Sequence, residues 1–102
     1  MKNFIHILVH STLAPSADAD AKRKEILDLA EDWMSYAPGA WILVSDDRPA
    51  LWRDRFVKLH GRYGSVVVFP FDPNQMYAAL PERIWAWFDK HDVLFERTDI
   101  PS

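Results

Sequence analysis

The chain contains no cysteine and only three glycines among its 102 residues. Without cysteine it has no disulfide bond, no thiolate nucleophile and no thiolate metal ligand. Gly39, Gly61 and Gly64 do not form the glycine-rich loop that binds phosphate in P-loop and dinucleotide-binding proteins. The chemistry of a functional site therefore has to come from other residue types, and no cofactor is expected.

Long hydrophobic runs are missing as well. The apolar run from Ile5 to Val9 is interrupted by His6 and is too short for a secretion signal. No segment approaches the ~20 apolar residues of a membrane-spanning helix. Because cysteine is also absent, we expect a cytoplasmic protein without a membrane partner.

Hydrophobic residues are nevertheless plentiful. A chain of this length predicts a single domain, residues 1–102. Hydrophobic residues make up 49% of it and include five tryptophans, enough for one core. A small domain leaves much of its surface uncovered, so part of this supply is available for an oligomer interface. We therefore expect a homodimer.

The charge is unevenly distributed along the chain. The net charge is −3, which does not mark the whole molecule as a nucleic-acid binder. Positions 48–62 hold five basic residues and one Asp, a local charge of +4, so the rest of the chain carries −7. The basic residues of this segment are Arg48, Arg53, Arg55, Lys58 and Arg62. Such a bipolar surface favours association with a partner or with a second copy.

The first predicted strand, Asn3 to Ser11, alternates between two faces. The face of Ile5, Ile7 and Val9 is apolar and should pack under helices. The opposite face should be only partly covered, or covered by a partner. This second face, the predicted dimer interface, consists of Phe4, His6, Leu8 and His10.

A helix is predicted from about Ala21 to Tyr36, after a cap at Asp18 or Asp20. Its end allows two interpretations. Trp33 to Ala37 is either the last turn of the helix or a strand that pairs with Ala40 to Val44 across a Pro-Gly turn.

The middle of the chain predicts strand, helix and strand in close succession. Trp41 to Val44 is an apolar strand, and Asp46-Asp47 with Pro49 is a helix start. Gly64 is a helix stop, and Val66 to Phe69 is the next strand. The buried helix face is predicted to consist of Trp52, Phe56, Leu59 and Tyr63.

The last third is predicted to contain a loop or single turn over Phe71 to Leu80, a helix over Glu82 to about Asp89, and a strand over Val93 to Thr98. Trp85 and Phe88 share a helix face, whereas Trp87 diverges by roughly two-thirds of a turn. An exposed Trp87 would be an interface anchor, or it would cover the core under the preceding loop.

These elements fit two architectures. One is a ferredoxin-like two-layer α+β sandwich, with a mainly antiparallel sheet and helices on one face. The other is a small three-layer α/β domain with a parallel sheet. The first and last strands are too polar for central parallel positions, which favours the sandwich.

Several short motifs also resemble a known family. They are Trp33 and Trp41, Trp-Ile-Leu-Val-Ser-Asp from Trp41, Leu-Trp-Arg-Asp from Leu51, and Leu80-Pro81 followed by Trp-Ala-Trp-Phe from Trp85. Over about residues 3 to 90 this pattern is similar to the SinR-like and VapD-like small proteins, relatives of the small nuclease-like subunit of CRISPR adaptation complexes. The resemblance implies a ferredoxin-like fold and a homodimer formed by packing sheet faces together.

The same resemblance implies a possible metal-dependent nuclease. In the nuclease members an Asp at the end of the first strand helps to hold the metal. This chain has Val-His-Ser-Thr at positions 9–12, without a carboxylate. The inactive, purely binding members are therefore the better analogy.

The candidate catalytic residues are few. Asp46-Asp47 follows a strand and offers oxygen ligands for a hard cation, but adjacent acids before Pro49 are also what a helix cap needs. Asp46 is the candidate metal ligand, and no metal is expected. Ser11 beside His10 is no catalytic pair, because adjacent strand side chains point apart.

The basic helix is the best candidate for partner binding. Arg48, Arg55 and Arg62 are seven apart, a spacing that keeps them on one helical stripe with Lys58 beside it. Arginine suits phosphate and carboxylate recognition, although a solvated helix face has the same pattern. The predicted partner-binding residues are Arg48, Arg55, Lys58, Arg62 and Trp87.

From these features we expect a non-catalytic regulatory or inhibitory binding module, antitoxin-like or phage-type. It would dock a protein or a nucleic acid, as a homodimer. The alternative is a metal-dependent nuclease of the CRISPR adaptation type.

Overall fold

A computed structural model describes residues 3–12, 16–91 and 98–100, and the chain divides into two compact units, 1–70 and 71–102. The first unit is built from six elements, and each is named here with its bounds. They are β1 (Asn3–Ser11), α1 (Ala17–Leu27), β2 (Asp32–Ala37), β3 (Ala40–Ser45), α2 (Pro49–His60) and β4 (Gly64–Phe71). No helix in the described part of the chain is long and apolar enough to cross a membrane.

The four strands form one antiparallel sheet in the order β2-β3-β1-β4. β3 lies between β1 and β2 and runs antiparallel to both, with Ile5 opposite Leu43 and Ile7 opposite Trp41. The parallel three-layer alternative therefore does not describe this sheet. The expected two-layer α+β arrangement with an antiparallel sheet is confirmed.

One hydrophobic cluster joins the sheet to both helices. Every member is at most 9% exposed, and each helix contributes at least one. Both helices therefore pack on the same face of the sheet. The members are Ile5, Ile7, Leu27, Trp41, Leu43, Trp52 and Phe56.

The first helix is shorter than predicted. α1 ends at Leu27, and a turn follows in which Leu29 and Ala30 donate to the carbonyls of Ile26 and Leu27. The helical spacing of apolar residues beyond this point was misleading, because pairing with β3 draws the next segment into a strand. Ser16 caps the helix by accepting from the Ala19 amide at 3.0 Å, so the prediction of an Asp cap was wrong.

A hairpin resolves the two interpretations of Trp33 to Ala37, since the segment lies in β2. Gly39 has a φ of +77°, which side chains other than glycine's rarely adopt. A Cβ at this position would lie 2.5 Å from the Val9 carbonyl oxygen, and the Val9 amide donates to the Gly39 carbonyl at 2.8 Å. The turn is therefore pressed against the neighbouring strand.

Two predictions about α2 were wrong. Its N-cap is Arg48, which makes no capping bond with its side chain, and not Asp46 or Asp47. The Asp47 carboxylate is occupied instead by Arg55. The helix ends at His60, ahead of Tyr63, and Gly64 is the first residue of β4.

The second unit is described separately. It contains a 3-10 turn (Pro73–Gln75), β5 (Ala79–Pro81), α3 (Glu82–Asp89) and β6 (Thr98–Ile100), with β6 parallel to β5. The bounds of α3 agree with the prediction. The strand predicted from Val93 to Thr98 lies mainly outside the described residues.

The side chains of α3 decide between the two alternatives for Trp87. Trp87 is only 7% exposed and meets Phe88 edge to face, with ring centroids 5.2 Å apart. Ile84 and Trp85 are buried as well. The prediction of Trp87 as an exposed partner-binding residue was therefore wrong, and the alternative of a buried Trp87 agrees with its low exposure, because α3 buries residues on more than one side.

Candidate partner-binding site

A groove of about 490 Å³ runs between α1 and α2. We call it the α1–α2 groove. It combines three cations with one carboxylate and two apolar side chains, a lining suited to an acidic ligand with an apolar part. The lining residues are Lys22, Glu25, Ile26, Arg55, Lys58 and Leu59.

Arg55 is fixed in place within this groove. Its guanidinium donates to the Asp47 carboxylate at 3.0 Å and lies 4.6 Å from the centre of the Trp52 ring. Trp52 is in turn buried and donates from Nε1 to the Ser45 hydroxyl at 3.1 Å. Arg55 is therefore a pre-positioned cation whose removal would also disturb the helix packing.

Lys58 is the accessible cation of the groove. It is exposed, and among the described residues it takes part in no ion pair. By contrast Lys22 lies 3.4 Å from the Asp18 carboxylate, in an exposed pair of little strength. Lys58 is the groove residue whose charge is most available to a partner.

The predicted arginine stripe is divided in the structure. Arg48 precedes α2 and Arg62 follows it, roughly 20 Å apart at 1.5 Å per helical residue. Arg62 is exposed, with its guanidinium 5.9 Å from the centre of the Tyr63 ring. Only Arg55 and Lys58 reach the groove, so the seven-residue spacing identified the helix but not one continuous binding stripe.

The described residues offer no cluster for a metal. Among them, no group of three or more His, Asp or Glu side chains is placed to hold an ion. Asp46 is exposed, and its neighbour Asp47 accepts the bond from Arg55.

A buried polar chain that the sequence did not reveal lies at the end of α2. His60 is 2% exposed, its Nε2 accepts from Arg23 Nε at 3.3 Å, and its Nδ1 lies 3.3 Å from the Ser11 hydroxyl. Arginine only donates, so Nε2 carries no proton and Nδ1–H points to Ser11. His60 therefore cannot take the Ser11 proton in this arrangement, and its position at a helix end was the only signal in the sequence.

The second histidine with several contacts lies on the predicted dimer face. His6 Nε2 is 2.7 Å from the Tyr36 hydroxyl, and its ring stacks on Phe69 with centroids 5.1 Å apart. Phe4 is half-buried like His6, whereas Leu8 and His10 are exposed. Leu8 and His10 are therefore the more accessible residues of this face, and the dimer stays a prediction.

Acidification is expected to destabilise the protein near pH 6. Burial lowers the pKa of His6, and burial together with the charge of Arg23 lowers the pKa of His60. The unfolded chain then binds protons first, near the ordinary histidine value of about 6.5. Stability is therefore fully present above this pH and is lost as the pH falls towards the lower folded values.

This pH dependence is measured by urea unfolding between pH 7.5 and 5.5. Each histidine contributes a slope of at most about 1.4 kcal/mol per pH unit. Replacing both residues, His6→Gln with His60→Gln, should flatten the slope even though the variant starts less stable. An equally steep slope in the double variant would contradict the assignment.

Comparison with known proteins adds no identification. The chain matches no protein-family model, and neither a curated protein nor a solved structure is significantly similar to it. The resemblance to SinR-like and VapD-like proteins therefore stays a hypothesis.

Proposed function

We propose that the chain is a non-catalytic regulatory or inhibitory module, antitoxin-like or phage-type, that docks an acidic macromolecular partner in the α1–α2 groove. The observation that supports it is the accessible Lys58 beside the pre-positioned Arg55, next to the apolar side chains of Ile26 and Leu59. Cations around an apolar floor attract an acidic segment and bury its apolar residues.

An acidic protein segment fits this groove better than nucleic acid does. Its lining includes the apolar side chains of Ile26 and Leu59 beside the cations. The methylene groups of glutamate side chains can pack on these apolar side chains while their carboxylates reach Lys58. A phosphodiester backbone brings no such apolar surface next to its charge.

For the fold, we propose a ferredoxin-like sandwich. The element order β1-α1-β2-β3-α2-β4 and the strand order β2-β3-β1-β4 support this assignment. So do the two helices that share one face of the sheet. The likeness to SinR-like and VapD-like proteins is proposed on the same basis.

We also propose that the module works as a homodimer. Leu8 is 41% exposed on β1, and the residues on the same strand face next to it include exposed His10. A large apolar side chain in this position is suited to contact with a second copy.

A nuclease of the CRISPR adaptation type is the second candidate. No arrangement of described residues favours it, since Asp46 has no cluster of further ligands around it. Incubating the protein with labelled RNA and DNA in Mg²⁺ or Mn²⁺ tests it directly. Cleavage that disappears in Asp46→Asn, with stability preserved, would establish the nuclease and overturn the binding module.

Charge reversal at the groove tests the proposed function. Fluorescence anisotropy of labelled poly-L-glutamate, RNA and DNA is measured with the parent protein, Lys58→Glu and Lys24→Glu. Lys24 is an exposed lysine of α1 outside the groove lining, so the control makes the same change in net charge. We expect Lys58→Glu to weaken polyglutamate binding at least tenfold, about 1.4 kcal/mol, and Lys24→Glu to weaken it less than threefold.

The outcomes distinguish the partner classes. Equal losses in the two variants would mean that net charge alone attracts the polyanion, and the groove would be abandoned as the site. Tighter binding of RNA or DNA than of polyglutamate, again lost only in Lys58→Glu, would replace the acidic protein by nucleic acid. Unfolding curves of both variants show whether the fold is intact.

A further inference from the structure

β4 forms one edge of the four-stranded sheet. Its eight residues, Gly-Ser-Val-Val-Val-Phe-Pro-Phe, carry no charge. Exposed edge strands usually hold lysines or other charges that oppose pairing with another chain. Within β4 itself Pro70, near the end of the strand, is the only residue that opposes such pairing, so positions 64–69 carry no residue that does.

The contacts between β1 and β4 indicate which backbone groups point outward. Thr12 donates its amide to the Tyr63 carbonyl at 2.7 Å, and His6 stacks on Phe69. Both contacts agree with an antiparallel register in which odd-numbered residues of β4 bond to β1. Since backbone groups alternate along a strand, Gly64, Val66 and Val68 direct their N–H and C=O groups away from β1.

One further observation agrees with this register, and the first residue of β4 lies close to β1. A Cβ at Gly64 would overlap the His10 carbonyl oxygen, so the two strands approach more closely here than regular pairing requires. Pro70 is one of the residues whose backbone nitrogen points away from β1, so its missing N–H costs no hydrogen bond to that strand. Among the residues that the structure describes, no strand pairs with the outer side of β4.

Exposed apolar side chains lie beside this edge. Val67 is 51% exposed and Phe69 39%, and the same register places Leu8, 41% exposed, across from Val67. Pairing of β4 with a second strand would cover part of this surface while satisfying the outward backbone groups. An uncharged partner strand suits this edge best, because charges would be placed next to valine and phenylalanine.

We propose that β4 pairs antiparallel with β4 of a second copy, which joins the two sheets into one continuous sheet across a two-fold axis near Val66 and Val67. β4 carries no charged residue, so antiparallel pairing of two copies of it brings no like charges together. Residues that point outward in one copy pair with residues that point outward in the other, so the two-fold axis passes through a residue and not between two residues. An axis at Val66 or at Val67 leaves Pro70 near the end of the paired segment. This inference deepens the homodimer in the proposed function and rests on it, but it does not involve the α1–α2 groove.

The experiment measures the oligomeric state of the full chain by sedimentation equilibrium over a hundredfold concentration range. Val67→Lys places two cations beside the axis, and Val57→Lys makes the same change at a valine of α2 that is 46% exposed. We expect a concentration-dependent dimer for the parent and for Val57→Lys. For Val67→Lys we expect a dissociation constant raised at least tenfold.

Hydrogen exchange provides a second readout that a merely destabilised fold would not imitate. The amides of Val66 and Val68 should become more protected as the protein concentration rises, and that of Val67 should not change. A monomer at every concentration, or a dimer equally weakened by Val57→Lys and Val67→Lys, would overturn the proposal. A monomer that still binds polyglutamate through Lys58 would leave the groove function standing.

Discussion

Replacing Trp52 by alanine should lower the free energy of unfolding by about 3–5 kcal/mol. The side chain is fully buried and belongs to the cluster that joins both helices to the sheet. Its Nε1 donates to Ser45, and its ring lies under the guanidinium of Arg55. Alanine removes the apolar contact and leaves a cavity, and both effects act in the same direction.

Urea unfolding of Trp52→Ala, Trp52→Phe and Leu51→Ala measures this effect. Phenylalanine keeps most of the apolar volume but loses the bond to Ser45, whose oxygen still accepts from the Asp47 amide at 3.0 Å. That variant should therefore retain more stability than Trp52→Ala. Leu51 is 38% exposed, and its loss should cost less than about 1 kcal/mol. A loss below 1 kcal/mol for Trp52→Ala would mean that α2 does not pack as described.

Replacing Gly64 by alanine should have the second largest effect, about 1–3 kcal/mol of lost stability. The added Cβ would overlap the His10 carbonyl oxygen and lie 2.7 Å from the Ser11 Cα. Both neighbours are backbone atoms of β1, so they move only if the pairing of the two strands changes. The cost thus comes from steric overlap and not from a left-handed backbone conformation.

The control for this substitution is Ser65→Ala, one residue further along β4. Ser65 is exposed, and shortening its side chain should change stability by less than about 0.5 kcal/mol. Both variants are compared with the parent by thermal and urea unfolding. If Gly64→Ala is as stable as the parent, the close approach of β4 to β1 is incorrect, and the register used for the dimer fails with it.

The sequence predicted elements well where local and long-range preferences agree. β1 and α3 were predicted with nearly the observed bounds, because β1 alternates along its length and Pro81 marks the start of α3. The segment after Leu27 was harder, since Ile26, Ala30 and Trp33 have helical spacing while the chain turns and forms β2. Pairing with β3, a contact between distant residues, decides this conformation, and no local pattern contains it.

The candidate site was predicted less completely than the fold. Charge clustering pointed to α2, and Arg55 and Lys58 line the groove that is the candidate site. The sequence could not show that Asp47 and Trp52 hold Arg55, or that Lys22 and Glu25 of α1 complete the lining. These neighbours depend on how two helices pack, and the same limitation hid the contact of His60 with Ser11 and Arg23.

The central claim is that the chain acts by binding an acidic partner through the α1–α2 groove. The most direct measurement is the anisotropy of labelled poly-L-glutamate titrated with the parent protein at 50 and 200 mM salt. We predict saturable binding that weakens as the salt concentration rises, because ion pairs with Lys58 and its neighbours are screened. No binding to polyglutamate, RNA or DNA at low salt would contradict the claim.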